Sequence, residues 1–276
     1  MQGRGQEEIG ERTPGRHEAD VSIRLRPRDR CAKSLDGIRR ASIGGKDVER
    51  DRILSDEELA RLWVATRAAN LSRRSALAVW LILATACRAG EAMAARWEHV
   101  DWIKRTWYLP ETKNQRDHVI HLSDFALQQI EALSSLRELD RGGSSVPWLF
   151  PTKSGTGHLC VKSFGKQLAD RQRTEADRLQ NRTKQTDSLA LQGGRWVAHD
   201  LRRTAATMMA RSGVPTDVID ECLNHKLRSK VSRVYIKDRR LQEQIVAFDR
   251  LGSMITDLVS GDESRKSVVV PIRAAA

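Results

Sequence analysis

Residues 195–235 read RWVAHDLRRTAATMMARSGVPTDVIDECLNHKLRSKVSRVY. His199 and Arg202 stand three apart at the start of a helical pattern, which puts both side chains on one face. The helix is expected from about His199 to Arg211, with Ala205, Ala206, Met208 and Met209 as its packing face. Ser212-Gly213 should end it, Gly213 serving as a left-handed cap. Pro215 then opens a second helix, where its missing N–H costs nothing. Val218, Ile219, Cys222 and Leu223 pack that helix, and its LNH terminus presents His225. A basic link, KLRSK, leads on to a helix carrying Tyr235.

These residue types suit one chemistry. Arginine stays charged and grips phosphate oxygens in a fork. Histidine exchanges protons with a reacting oxygen, and tyrosine can form a covalent intermediate. With a pKa of about 10, only about one tyrosine in a thousand is ionised at pH 7, so the nucleophile needs a positive field or a nearby base. Taken alone, the same residues also read as a solvated helix start and a core aromatic.

The surrounding numbers fit an anionic partner. The chain has 276 residues, a net charge of +12 and 30% charged residues, with a hydrophobic fraction of 39% that is enough for a core. Such a balance points first to nucleic acid. The longest apolar run, Leu77 to Ala84, is too short to span a bilayer. The start of the chain is polar and charged, unlike a signal peptide. Cys31, Cys87, Cys160 and Cys222 are widely spaced and form no zinc pattern with the histidines. A reduced cytoplasmic protein without structural disulfides is the simplest expectation.

Outward from the opening stretch, residues 1–50 are rich in Arg, Gly and acidic residues and lack periodicity. They read as a disordered basic segment, either a DNA-touching arm or a solvated tail. Order is expected from Ile53, where Ser55 and Glu58 form a capping box. Ser75 to Ala86 is apolar nearly all round and reads as a buried helix. Arg88 follows directly, and a buried unpaired charge is costly, so it must be paired, with Glu91 three residues on, or functional. HVDWIKRTWYLP reads as a strand, and VIHLS as its hairpin partner, with Lys113 near the tip. Tyr108 reads as a packing residue of that strand. Helices are expected from Asp124 to about Leu139 and from Val161 to about Arg173, followed by a polar exposed loop. The chain reads helical to Leu258, and residues 259–276 form a polar tail whose apolar end could dock on a neighbouring protomer or fray.

HDLRRTAAT, then GVP, then LNH, then a terminal Tyr, resembles the catalytic core of the tyrosine recombinases, specifically the prophage integrases. The match runs from about Asp51 to Asp249 with the motifs in the family's order. It implies a mainly α fold with a small antiparallel β-hairpin or sheet, occupying residues 51–258. It also implies site-specific cleavage and rejoining of double-stranded DNA, through a 3′-phosphotyrosyl link and without a metal or other cofactor. On that resemblance Tyr235 is the nucleophile, and Arg88, Arg202 and His225 neutralise the phosphate. His199 assists proton transfer, Lys113 protonates the leaving oxygen, and Glu91 orients Arg88. Four protomers around two duplexes are the assembly it implies. Two departures stand out. His225 and Tyr235 are spaced one residue wider than in many family members. Residues 1–50 do not resemble the family's helical core-binding domain, so weak and poorly specific DNA binding is expected. That gap keeps a second reading open, a truncated remnant that binds DNA without recombining it. A type IB topoisomerase shares the chemistry but fits HDLRRT and LNH less well.

Overall fold

A capping box starts the first helix, as the spacing requires. The Ser55 hydroxyl accepts from the N–H of Glu58 at 3.2 Å, and the Glu58 carboxylate accepts from the N–H of Ser55 at 3.0 Å. This is α1 (Asp56–Ala68) in a computed structural model that describes residues 51–112, 114, 116–138, 146–225 and 240–261. The N-terminal segment expected before residue 51, Lys113, the link and helix carrying Tyr235, and the expected tail beyond residue 261 lie outside the described residues.

The apolar run becomes α2 (Arg73–Thr85), capped by Ser72, whose hydroxyl accepts from the N–H of Ser75. Residues 78–84 are all buried. Burying each large aliphatic side chain stabilises the fold by about 1.5–3 kcal/mol before entropy is counted. A helix apolar on every side must be covered on every side. Accordingly α2 packs against α4 (Asp124–Glu138), α6 (Ala198–Arg211) and α8 (Leu241–Ser260), and more lightly against α1. The long α8 also contacts α1, α4, α6 and α7 (Thr216–Cys222). Its Gly252 sits so close to the start of α4 that an added Cβ would lie 2.6 Å from the Cβ of Ser123. A short α3 (Ala89–Met93) follows α2 and touches α5 (Val161–Asp170).

The β-region has three strands rather than the two expected. β1 (Val100–Asp101), β2 (Thr106–Leu109) and β3 (His118–His121) form an antiparallel sheet in that order. Val100 pairs with Trp107, and Trp107 in turn with Ile120. The long strand expected from His99 breaks because Arg105 adopts a left-handed φ of 54°, and Asp101 closes the turn by accepting from the N–H of Lys104. Trp107, Leu109, His118 and Ile120 form the buried face. Tyr108, expected to pack, points the other way and is 42% exposed, its ring edge-on to His99. The period-2 alternation of a strand forces that outcome once Trp107 and Leu109 face inward.

The remaining helices follow expectation within a turn. α5 stops at Asp170, short of Arg173, and the loop after it is largely exposed. Gly213 ends α6 with φ 82°. Cys87, Cys160 and Cys222 are free thiols. No helix among the described residues is long and apolar enough to cross a membrane.

Candidate active site

Arg202 lies on α6 with its guanidinium buried, the residue only 5% exposed. Its fork is divided between two backbone carbonyls. Nη1 donates to Ala86 O at 2.6 Å, and Nη2 donates to Leu223 O. Ala86 caps α2 in a left-handed conformation, φ 49°, and immediately precedes Cys87 and Arg88. Leu223 stands two residues before His225. One side chain therefore ties together the segment bearing Arg88, the helix bearing His199 and the turn bearing His225. Burial, followed by the charge of Arg88, pushes the Arg202 pKa down to about 10, so it remains a cation at neutral pH.

Arg88 sits at the N-terminal end of α3. The Glu91 carboxylate holds it twice, accepting from Arg88 Nη1 at 2.8 Å and from its backbone N–H at 2.8 Å. The pairing expected from the three-residue spacing is present, and it holds a guanidinium that is still partly open to solvent.

The entry to α6 is fixed by two joints. Gln172 brackets Trp196, accepting from its N–H at 2.9 Å and donating to its carbonyl at 3.0 Å. Trp196 is itself fully buried and donates its indole N–H to Leu189 O. Nearby, buried Glu58 accepts from the N–H of Gly193 at 2.6 Å and from Arg52 at 2.6 Å. Burial pushes the Glu58 carboxyl up, but the bonds from Arg52, Ser55 and Gly193 outweigh it and hold the group below its ordinary value. Asp200 then closes the first turn of α6 by accepting from the N–H of Val197.

His199 is exposed on that first turn. Partial loss of water around its ring comes first, then the charges of Arg203 and Arg202 and, after an opposing effect from Asp200, of Arg88. The result is a pKa below the ordinary histidine value. A histidine so placed is neutral near pH 7 and able to accept a proton. His225 follows α7, its Nδ1 2.8 Å from Asp220 Oδ1, and its backbone N–H donates to Asp220 O.

The β2–β3 hairpin reaches the same place. Asn224, buried and left-handed at φ 47°, donates Nδ2 to the Thr112 hydroxyl at 3.1 Å. Its backbone carbonyl accepts from Asn114 Nδ2. His118 Nε2 lies 3.0 Å from Cys222 O. The hairpin is thus fastened to the end of α7.

Of the residues expected from sequence, Arg88 with Glu91, His199 and His225 lie on segments that the Arg202 fork joins. Lys113 and Tyr235 fall outside the described residues. Sequence reasoning missed Asp220, Asn224, Thr112 and Asn114. The five-residue spacing from Asp220 to His225 is a weak local signal, and the Asn224 contacts span 110 and 112 residues, with none at all.

Two arginines and a histidine that is neutral near pH 7 influence one another's charge here, and no metal-binding cluster of His, Cys, Asp or Glu occurs among the described residues; such groups are suited to binding a phosphodiester and stabilising charge on it. The model of the phage integrase family matches residues 52–241. Prophage integrase IntA of Escherichia coli (strain K12) is 30% identical over 195 residues, covering 68% of this chain and 40% of that protein. The chain thus spans well under half the length of that relative. Among solved structures, the integrase from mycobacterium phage Brujita is similar with a TM-score of 0.51 at 16% identity, covering 78% of this chain and 71% of that one. XerA recombinase is similar with a TM-score of 0.52 at 19% identity, covering 74% and 67%. At those identities the likeness is one of fold.

Proposed function

The chain belongs to the phage integrase family, and from that premise we propose that it is a site-specific recombinase that cuts and rejoins duplex DNA through a 3′-phosphotyrosyl intermediate on Tyr235. Residues 51–258 act as its catalytic domain. The observation that carries this reading is the Arg202 fork, which joins the segments bearing Arg88, His199 and His225.

The chemistry follows from the groups present. Tyr235 Oη bonds to the scissile phosphorus as the bond to O5′ breaks. The tyrosine proton passes to His199, whose lowered pKa keeps it free to accept one. Lys113 gives a proton to the departing O5′. Arg88 and Arg202, with His225, offset the charge that builds on the non-bridging oxygens, and such preorganised charge is usually the largest catalytic contribution. The 5′-hydroxyl of a partner strand then attacks the phosphotyrosine, restoring the phosphodiester and freeing Tyr235. Strand exchange on this scheme needs two duplexes and four protomers. Affinity comes largely from phosphate contacts and falls as salt rises.

The test is covalent capture. Nicked duplexes with a randomised core are mixed with the chain, and adducts that survive denaturation are isolated and sequenced. We expect a DNA-linked band that Tyr235→Phe abolishes. A chain that retards these duplexes but forms no adduct with any of them would be a binding-only remnant.

A further inference from the structure

We infer that Asn224 is a positioning residue for proton delivery to the leaving oxygen, acting by holding the two neighbours of Lys113. The inference rests on the proposed function and deepens it.

Three observations carry it. First, Asn224 bonds to both residues that flank Lys113 in sequence. Its Nδ2 donates to Thr112 Oγ1 at 3.1 Å, and its backbone carbonyl accepts from Asn114 Nδ2. Second, the Thr112 hydroxyl also donates to Arg116 O at 2.7 Å, tying the two sides of the hairpin end together. Third, Asn224 is 4% exposed and left-handed at φ 47°, directly before His225. Glycine or asparagine serves that backbone. Only asparagine also supplies a buried donor there, and a buried donor without a partner is costly. The side chain is therefore committed to the hairpin.

The consequence is a linkage between two halves of one reaction. The turn that places His225 against the phosphate and the loop that supplies Lys113 share one buried residue. When the loop is fastened, the acid for O5′ and the charge for the non-bridging oxygens arrive together. Loosening it should spare charge stabilisation and impair protonation of the leaving group.

That split can be read with two esters of one captured DNA sequence. One has an ordinary bridging O5′, and the other has sulfur in its place. A thiolate leaves without a proton, since a thiol has a pKa of about 8.5. Asn224→Gly keeps the left-handed turn and the backbone carbonyl that meets Asn114, and deletes the side-chain amide that meets Thr112. Thr112→Val breaks the same bond from its acceptor end, together with the Thr112–Arg116 bond. On the oxygen ester both variants should form adduct at least about 10-fold more slowly than wild type, and on the sulfur ester within about 2-fold of it, as should Lys113→Ala. Equal losses on both esters, beside a rescued Lys113→Ala, would overturn the inference. A Lys113→Ala variant that sulfur does not rescue would overturn it too, by removing the acid it depends on. No adduct from wild type on either ester would instead overturn the proposed function. Thermal melts of each variant separate slowed chemistry from lost fold.

Discussion

Arg202 Nη1 donates to the carbonyl of Ala86 at 2.6 Å, across 116 residues of chain. Its other arm reaches the carbonyl of Leu223. A side chain that the proposed chemistry needs for phosphate is thus already in use as a brace. The same charge serves both purposes, because guanidinium N–H groups radiate in several directions from one plane.

Arg202→Lys keeps the charge and loses the brace. One ammonium on a different stem cannot reproduce a planar fork. Leaving one of the two carbonyls unpaired should cost about 1–3 kcal/mol in urea unfolding, and adduct formation should fall with it. A lysine variant of unchanged stability would show that the fork is dispensable.

His199 should titrate below the ordinary histidine value of 6.5, because loss of water and the charges of Arg203, Arg202 and Arg88 oppose its protonation. The sign for stability follows. The unfolded chain takes up this proton more readily than the folded one. Stability from His199 is therefore complete above about pH 6.5 and lost as pH falls through the folded pKa. An NMR titration of the ring checks the first statement, and a midpoint at or above 6.5 would refute it. Denaturant unfolding of wild type and His199→Gln across pH 7 to 5 checks the second: the gap in favour of wild type should shrink as pH falls.

Asp220→Ala should separate orientation from stability. The Asp220–His225 pair is open to solvent on both sides, so its loss should change unfolding by only about 0–1 kcal/mol. Adduct formation should nevertheless slow by at least about 10-fold, because an unheld histidine ring no longer faces its target. DNA affinity, measured by anisotropy on the same duplex, should stay near wild type. A parallel loss of affinity would mean that Asp220 acts on binding instead.

Gly252→Ala sets two effects against each other. Alanine favours the interior of α8 by about 1 kcal/mol over glycine. The added Cβ would meet the Ser123 Cβ at 2.6 Å, with the start of α4 behind it. Overpacking of this kind costs about 1–3 kcal/mol, so the clash should win and the melting temperature should drop. A rise would show that α4 yields freely.

The helices were legible because their signals are local. Ser55 and Glu58 announced α1, the unbroken apolar run announced α2, and Gly213 announced the end of α6. The short β1 was not, because its separation from β2 depends on a left-handed Arg105 that no motif marks. Tyr108 was misjudged for a related reason: which face of a strand turns inward is decided by its neighbours Trp107 and Leu109 together. For the candidate site, motif order brought Arg88, His199, Arg202 and His225 into view. The groups that hold them in place stayed hidden, since Asn224 meets Thr112 and Asn114 only after the chain has folded back on itself.

The Arg202 brace also imposes an order in time. Its two carbonyl partners come from α2 and from the end of α7, and the arginine lies on the helix between them in sequence. The brace cannot close until the central helix is surrounded and the last turn of α7 has docked. A chain emerging from the ribosome, or one partly unfolded by heat, carries Arg88, His199, Arg202 and His225 yet lacks the brace that joins their segments. On the proposed function, competence to cut is withheld until folding is finished.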